Sequence, residues 1–228
     1  MSKETEAFRP PLPSRATRRI SPRSKASLRG ALVAQLPADE HPRRIVFESK
    51  LEQRVLYLLL ARPDVHDIWD QPPAVPYMST SGREKRHVFD FLVALTNGRR
   101  IAVAVKPAEL AEKRNFRAEL QTIRAATTIA FAHDIVLVTD RSFSPAAARN
   151  AARLHDFRRT PDPEADARVR SIIATLADET TIAEVVSMSG LEGRGFRAVY
   201  RSLYEGHARA LTHGDITPAT RIAREVRQ

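Results

Sequence analysis

Cysteine is absent from the 228 residues, which excludes disulfides and thiolate metal sites and fits a reducing compartment. No apolar run is long. The longest, Val55 to Ala61, falls far short of the roughly 20 residues needed to cross a bilayer, so no membrane partner is expected. The basic N-terminus lacks the apolar stretch and cleavage site of a secretory signal. Glycine is scarce at 8 residues, and no P-loop or dinucleotide-binding glycine pattern occurs, which argues against a nucleotide-driven motor. The 7 histidines show no ligand spacing of the H-E-x-x-H kind. Acids are outnumbered, 27 Asp and Glu against 37 Lys and Arg, leaving a net charge of +10. That excess favours an anionic partner, most simply nucleic acid, and hence a cytoplasmic, nucleoid-associated protein. A soluble domain with a basic tail would give the same balance.

Hydrophobic residues make up 43% of the chain, enough for a packed core. Residues 1–42 read as a disordered basic arm. Pro10, Pro11, Pro13 and Pro22 break helices there, and Arg15, Arg18, Arg19, Arg23, Lys25 and Arg29 bring charge with little to bury. From Phe47 the texture changes, and Leu51, Val55, Leu58 and Leu59 predict an amphipathic helix to Ala61. After a Pro-rich connection, strands are expected over Val88–Leu95 and Arg100–Lys106, joined at Asn97-Gly98. A long helix from Ala108 to about Ala132 should follow, then a strand over Asp134–Thr139. Ser144 and Pro145 should open a helix running to about Leu154. That order implies an α/β core over 43–157, a mixed sheet flanked by helices.

Residues 158–168, with Pro161 and Pro163, read as a linker to a separate module over 169–228. There Thr181 and Glu184 have capping-box spacing, and Gly190 suits a helix end. A second helix is expected over Gly193–Glu205. Ala208–Leu211 and Ile216–Ile222 then flank a His213-Gly214-Asp215 turn. Two helices and a hairpin make a winged helix-turn-helix plan.

Three polar residues stand where the patterning predicts apolar ones. Glu52 shares a helix face with Val55 and Leu59, Asp90 alternates with Val88 and Leu92, and Lys106 follows Ala102 and Ala104 on one strand face. A buried acid and lysine are unfavourable unless paired or metal-bound. An Asp–Lys ion pair at a strand end would also satisfy the pattern.

In order, Ser49-Lys50-Leu51-Glu52, Asp67-Ile68-Trp69-Asp70-Gln71-Pro72, Val88-Phe89-Asp90-Phe91-Leu92-Val93 and Ala102-Val103-Ala104-Val105-Lys106-Pro107 resemble the N-terminal domain of the TnsA endonucleases, a PD-(D/E)XK nuclease family. The resemblance runs from about Phe47 to Pro145. It implies a restriction-endonuclease-like core and metal-dependent hydrolysis of double-stranded DNA at mobile-element ends, beside a transposase or transposition regulator. Carried over by position, Glu52 and Asp90 become carboxylate ligands of Mg²⁺ or Mn²⁺, joined by the carbonyl of Val105. Lys106 becomes the lysine that orients water and offsets phosphate charge. Glu48, one turn before Glu52, is a candidate accessory acid or a solvated one. Gln71 is an accessory amide or a turn stabiliser.

Two positions depart from the family pattern. Phe89 stands where many of these nucleases have Pro, and Ala104 stands where Glu, Asp or Gln is expected. Alanine ligates nothing. The site then works with a reduced shell, or the chain is an impaired, nuclease-fold DNA-binding or regulatory protein, or the residue was substituted. The expectation is DNA binding with feeble cleavage or none. In the C-terminal module Arg194, Arg197 and Arg201 recur at helical spacing, and are candidates for DNA contact or a docking face.

Overall fold

The computed structural model describes residues 9–18 and 28–225. They divide into two units, one built from the chain up to Gln53 with Asp64–Asp140, the other from Arg54–Pro63 and the chain from Arg141 onward.

In the first unit β1 (Gly30–Ala34) and β2 (Arg43–Phe47) form an antiparallel pair, and three residues later begins α1 (Lys50–Ala61), whose first turn belongs to this unit and whose remainder from Arg54 belongs to the second. The central sheet joins β3 (Val65–Asp70), β6 (Phe91–Leu95), β7 (Arg100–Val105) and β8 (Asp134–Val138) in that spatial order. Its first two pairings are antiparallel and β7–β8 is parallel, as the helical crossover between them requires. A separate hairpin, β4 (Val75–Met78) with β5 (Glu84–His87), fills what reads in the sequence as a Pro-rich connection. The crossover is two helices, α2 (Ala108–Lys113) and α3 (Phe116–Ala126). Asn115 breaks the expected single helix by adopting a left-handed backbone, φ +47°, a conformation Asn tolerates better than most residues. Leu92, Ala102, Ala104, Phe116, Leu120 and Ile123 pack together between the sheet and these helices. The result is an α/β fold with a mixed sheet flanked by helices.

The arm departs from expectation. The readings that fall on residues 1–8 and 19–27, including Arg19, Pro22, Arg23 and Lys25, lie outside the described residues. Residues 9–18 and 28–42 are ordered. Leu12 exchanges backbone bonds with Pro42 and Arg44 at 2.9 and 3.0 Å. Asp70, fully buried, accepts from the Ser14 hydroxyl and from Val46 N at 2.8 Å. Arg15 lies over the Trp69 ring at 5.7 Å and grips both Asp67 oxygens. These anchors are polar and long-range, so hydrophobic periodicity cannot reveal them.

The second unit contains α4 (Pro145–Arg158), α5 (Pro163–Ala174), β9 (Thr180–Thr181), α6 (Ile182–Ser189), α7 (Glu192–Tyr204), β10 (Ala208–Ala210) and β11 (Arg221–Arg224). The three strands form one antiparallel sheet ordered β10-β11-β9. Ser144 caps α4 by accepting from Ala147 N, the Thr181–Glu184 capping box is formed, and Gly190 ends α6 at φ +67°. The expected linker over 158–168 shrinks to Arg159–Asp162, because Asp162 caps α5 and Pro163 starts it. Helix α4, expected in the nuclease core, belongs to this unit.

Candidate active site

Asp90 lies at the break between β5 and β6, not inside the continuous strand expected over Val88–Leu95. Its backbone still bridges the sheet. Its N–H donates to Val103 O at 3.0 Å, and its carbonyl accepts from Gln71 N at 2.9 Å. One carboxylate oxygen accepts from Val105 N at 2.6 Å. Val105 thus reaches the site through its amide. No hydrogen bond or ion pair joins Asp90 to Lys106 among the described residues, which removes the plain ion-pair explanation for this acid.

Glu52 sits in the first turn of α1, where the sequence carries a signal that the apolar face pattern hides. Ser49-x-x-Glu52 is a second capping box in spacing. Ser49 Oγ accepts from Glu52 N at 3.1 Å, while the Glu52 carboxylate accepts from Ser49 Oγ at 2.8 Å and from Glu48 N at 2.6 Å. The acid is therefore oriented by the helix start itself.

The charges converge. Burial, then the negative charge of Glu52, push the Asp90 carboxyl up to about 7, against the bond from Val105 and the positive charges of Lys106 and Arg18. Burial also raises Glu52, against the bonds from Glu48 N and Ser49 Oγ and the positive charge of Arg18, while the negative charge of Glu48 adds to the rise. Asp90 is half-buried, its carboxylate deep and its residue partly open. Lys106 follows β7, its N–H bonded to Val138 O at 3.1 Å and its ammonium 4.5 Å above the Phe116 ring.

Ala104, 2% exposed, belongs to the apolar cluster under the sheet. Phe89, in the position where Pro is common, is fully buried and meets His87 edge-on at 4.7 Å. Glu48 pairs with Arg18, so it is neither simply solvated nor isolated.

Two site residues escape a reading of the sequence. Arg18 falls in the arm that reads as disordered, yet the anchors at Leu12, Ser14 and Arg15 deliver it to the acids. His87 stands three residues before Asp90. Its Nε2 is buried without a partner, and burial and Lys106 push its pKa down to about 4, so the ring is neutral. Among the described residues no three of His, Cys, Asp and Glu gather as a metal-binding group.

Residues 62–138 match the family model described as TnsA-like endonuclease N terminal. Over that stretch the resemblance read from the sequence holds. No curated protein matches the chain. The matched segment contains Gln71, Asp90, Ala104, Val105 and Lys106. It stops short of Glu52 and excludes most of the second unit, so those parts rest on geometry alone. No helix among the described residues is long and apolar enough to cross a membrane.

The three arginines of α7 do not form the free basic face expected. Arg201 is 4% exposed, with Nε bonded to Asp166 at 2.8 Å and Nη1 to Phe157 O at 3.2 Å. Arg194 grips Asp162 at 2.7 and 2.9 Å and reaches Glu164 at 2.7 Å, holding the Asp162 carboxyl down at about 2. Only Arg197 of the three has no such pairing among the described residues. The reason is packing: α7 also buries Ala198, Val199, Tyr200 and Ser202, leaving little outward surface. Helical spacing records a face but not what covers it.

Proposed function

We propose that this protein is a metal-dependent DNA endonuclease acting at transposon or other mobile-element ends with a transposase partner. What supports the reading is the electrostatic coupling of Asp90 to Glu52 and Lys106 inside a fold whose central stretch is similar to the TnsA-like endonucleases. A divalent cation fits the acids present. Asp90 has one oxygen bonded by Val105 N and is held protonated more readily than an ordinary carboxyl by burial and then by its acidic neighbour, a cost that a hard cation would relieve. Glu52 and Asp90 would hold Mg²⁺ or Mn²⁺. When bound, such an ion supplies Lewis acidity toward the phosphate and acidifies water. The chain's own part is positioning. Lys106 places positive charge where the phosphate gains negative charge, and the capping box and the Val105 amide fix the two carboxylates.

The experiment is nicking of supercoiled plasmid with Mn²⁺, any required transposase supplied. Slow nicking is expected from the unaltered protein, with a loss on the order of 100-fold in Lys106→Ala, the scale of removing one charge-stabilising group. Equal rates in both would reject the assignment. The second reading, a non-catalytic DNA-binding protein on a nuclease scaffold, is favoured by the methyl group at Ala104. Binding without nicking under any metal would support it.

The order helix, strand, two helices and hairpin in the second unit supports a winged helix, with α7 in the place of the recognition helix. After the pairing of Arg194 and Arg201, Arg197 is the residue of this helix best placed for a phosphate. Arg197→Ala should lower the slope of log affinity against log salt by about 1. An unchanged slope would assign the helix to a protein partner.

A further inference from the structure

Gln71 combines two unfavourable features in the first unit. It is 2% exposed, and neither its Oε1 nor its Nε2 finds a hydrogen-bond partner among the described residues. A buried amide unsatisfied at both ends is rare and destabilising. Its backbone is left-handed at φ +45°, although it is neither glycine nor asparagine, and Pro72 normally drives its predecessor to extended backbone. The surroundings enforce this conformation. Gln71 N donates to Asp90 O at 2.9 Å, and Gln71 O accepts from Thr17 N and Thr17 Oγ1, both at 3.0 Å. Strain kept in place by several bonds beside a charged site is characteristic of functional positions.

The sheet register gives this residue its neighbours. Asp70 pairs with Phe91, and Phe91 with Val103. One residue beyond, Gln71 N donates to Asp90 O at 2.9 Å and Asp90 N donates to Val103 O at 3.0 Å, so the Asp90 backbone is bonded to Gln71 on one side and to the residue before Ala104 on the other. Backbones bonded in this way lie about 5 Å apart. Asp90 is therefore bonded on one side to the residue that carries the unpartnered amide, and on the other to the strand that carries a methyl group at Ala104, where related nucleases have an acid or amide.

We propose that Gln71 supplies to the site the polar group that Ala104 lacks, its carbonyl oxygen serving as a neutral hard ligand toward Mg²⁺ or Mn²⁺, directly or through water. The inference rests on the metal-dependent reading above. It explains together the orphaned amide, the left-handed backbone and the alanine.

The test is calorimetric titration of the metal-free protein with Mn²⁺, alongside its metal-free thermal midpoint. Gln71→Met, close in size but without the amide, should weaken Mn²⁺ binding about tenfold without lowering the metal-free midpoint, since it removes an unsatisfied polar group. Adding Ala104→Gln to Gln71→Met should restore most of the lost affinity. Should Gln71→Met fail to fold, Gln71→Glu takes its place, and the added charge should tighten Mn²⁺ binding severalfold. Mn²⁺ binding that is unchanged in the Gln71 variants but lost in Asp90→Asn overturns this inference and leaves the nuclease reading intact. Binding unchanged in Asp90→Asn as well overturns the metal site itself.

Discussion

Asp90→Asn should reduce nicking by on the order of 100-fold or more while making the metal-free protein more stable at neutral pH. The two effects have one cause. In the folded chain the Asp90 carboxyl is pushed up to about 7 by burial and by Glu52, whereas in the unfolded chain it returns to about 3.9. Between those values the folded state holds more proton than the unfolded, so stability falls as pH rises from about 4 to 7. Above that window the cost is fully present. A difference of that size between the two states corresponds to about 4 kcal/mol. Partial exposure of the residue reduces this to about 1–3 kcal/mol. Asparagine keeps an oxygen to accept from Val105 N and carries no charge, so it removes the cost. Denaturant unfolding should show the variant ahead of the unaltered protein by more at pH 8 than at pH 5. Trp69, the chain's 1 tryptophan, lies in β3 and reports on the first unit directly. Saturating Mn²⁺ should stabilise the unaltered protein and leave the variant unmoved. A stability difference independent of pH would show that Asp90 is not the strained acid.

The site is legible in the sequence in part, and unevenly. Asp90 and Lys106 can be read because a strand alternates, so a charge on an apolar face stands out in one dimension. Glu52 stands out as an acid on an apolar helix face, but its capping role is hidden behind its catalytic resemblance. Arg18 is not readable, because the arm that carries it is fixed by single polar bonds to a residue 55 and 56 positions away. The isolated hairpin of β4 and β5 is lost among prolines. It survives there because Pro76 sits in a two-stranded ribbon with no central strand to interrupt. Helix periods and caps transfer well to the second unit. What fails is the step from spacing to exposure in α7.

That failure yields a second large effect. Arg201→Ala should destabilise the second unit by about 3–5 kcal/mol, the range for breaking a buried ion pair from one side. The guanidinium is enclosed. Its Nε donates to Asp166 at 2.8 Å, and Nη2 lies 2.6 Å from the same oxygen as an ion contact. Nη1 donates to Phe157 O at 3.2 Å. Alanine would leave the Asp166 carboxylate without its counter-charge, would remove the shortest of the side-chain donors to the Phe157 carbonyl, and would open a cavity beside α7. The same change at Arg197 should leave stability unmoved, since that side chain has no ion pair among the described residues to lose. Thermal unfolding followed by circular dichroism separates them, with Trp69 fluorescence showing that the first unit stays folded. A further variant decides between charge and packing. Arg201→Met with Asp166→Leu removes both charges and keeps the volume, and should recover most of the loss, because a buried pair contributes little over well-packed apolar residues. If Arg201→Ala unfolds no earlier than Arg197→Ala, the buried pair is not what holds α7 to α5, and Arg201 returns as a candidate for nucleic-acid contact.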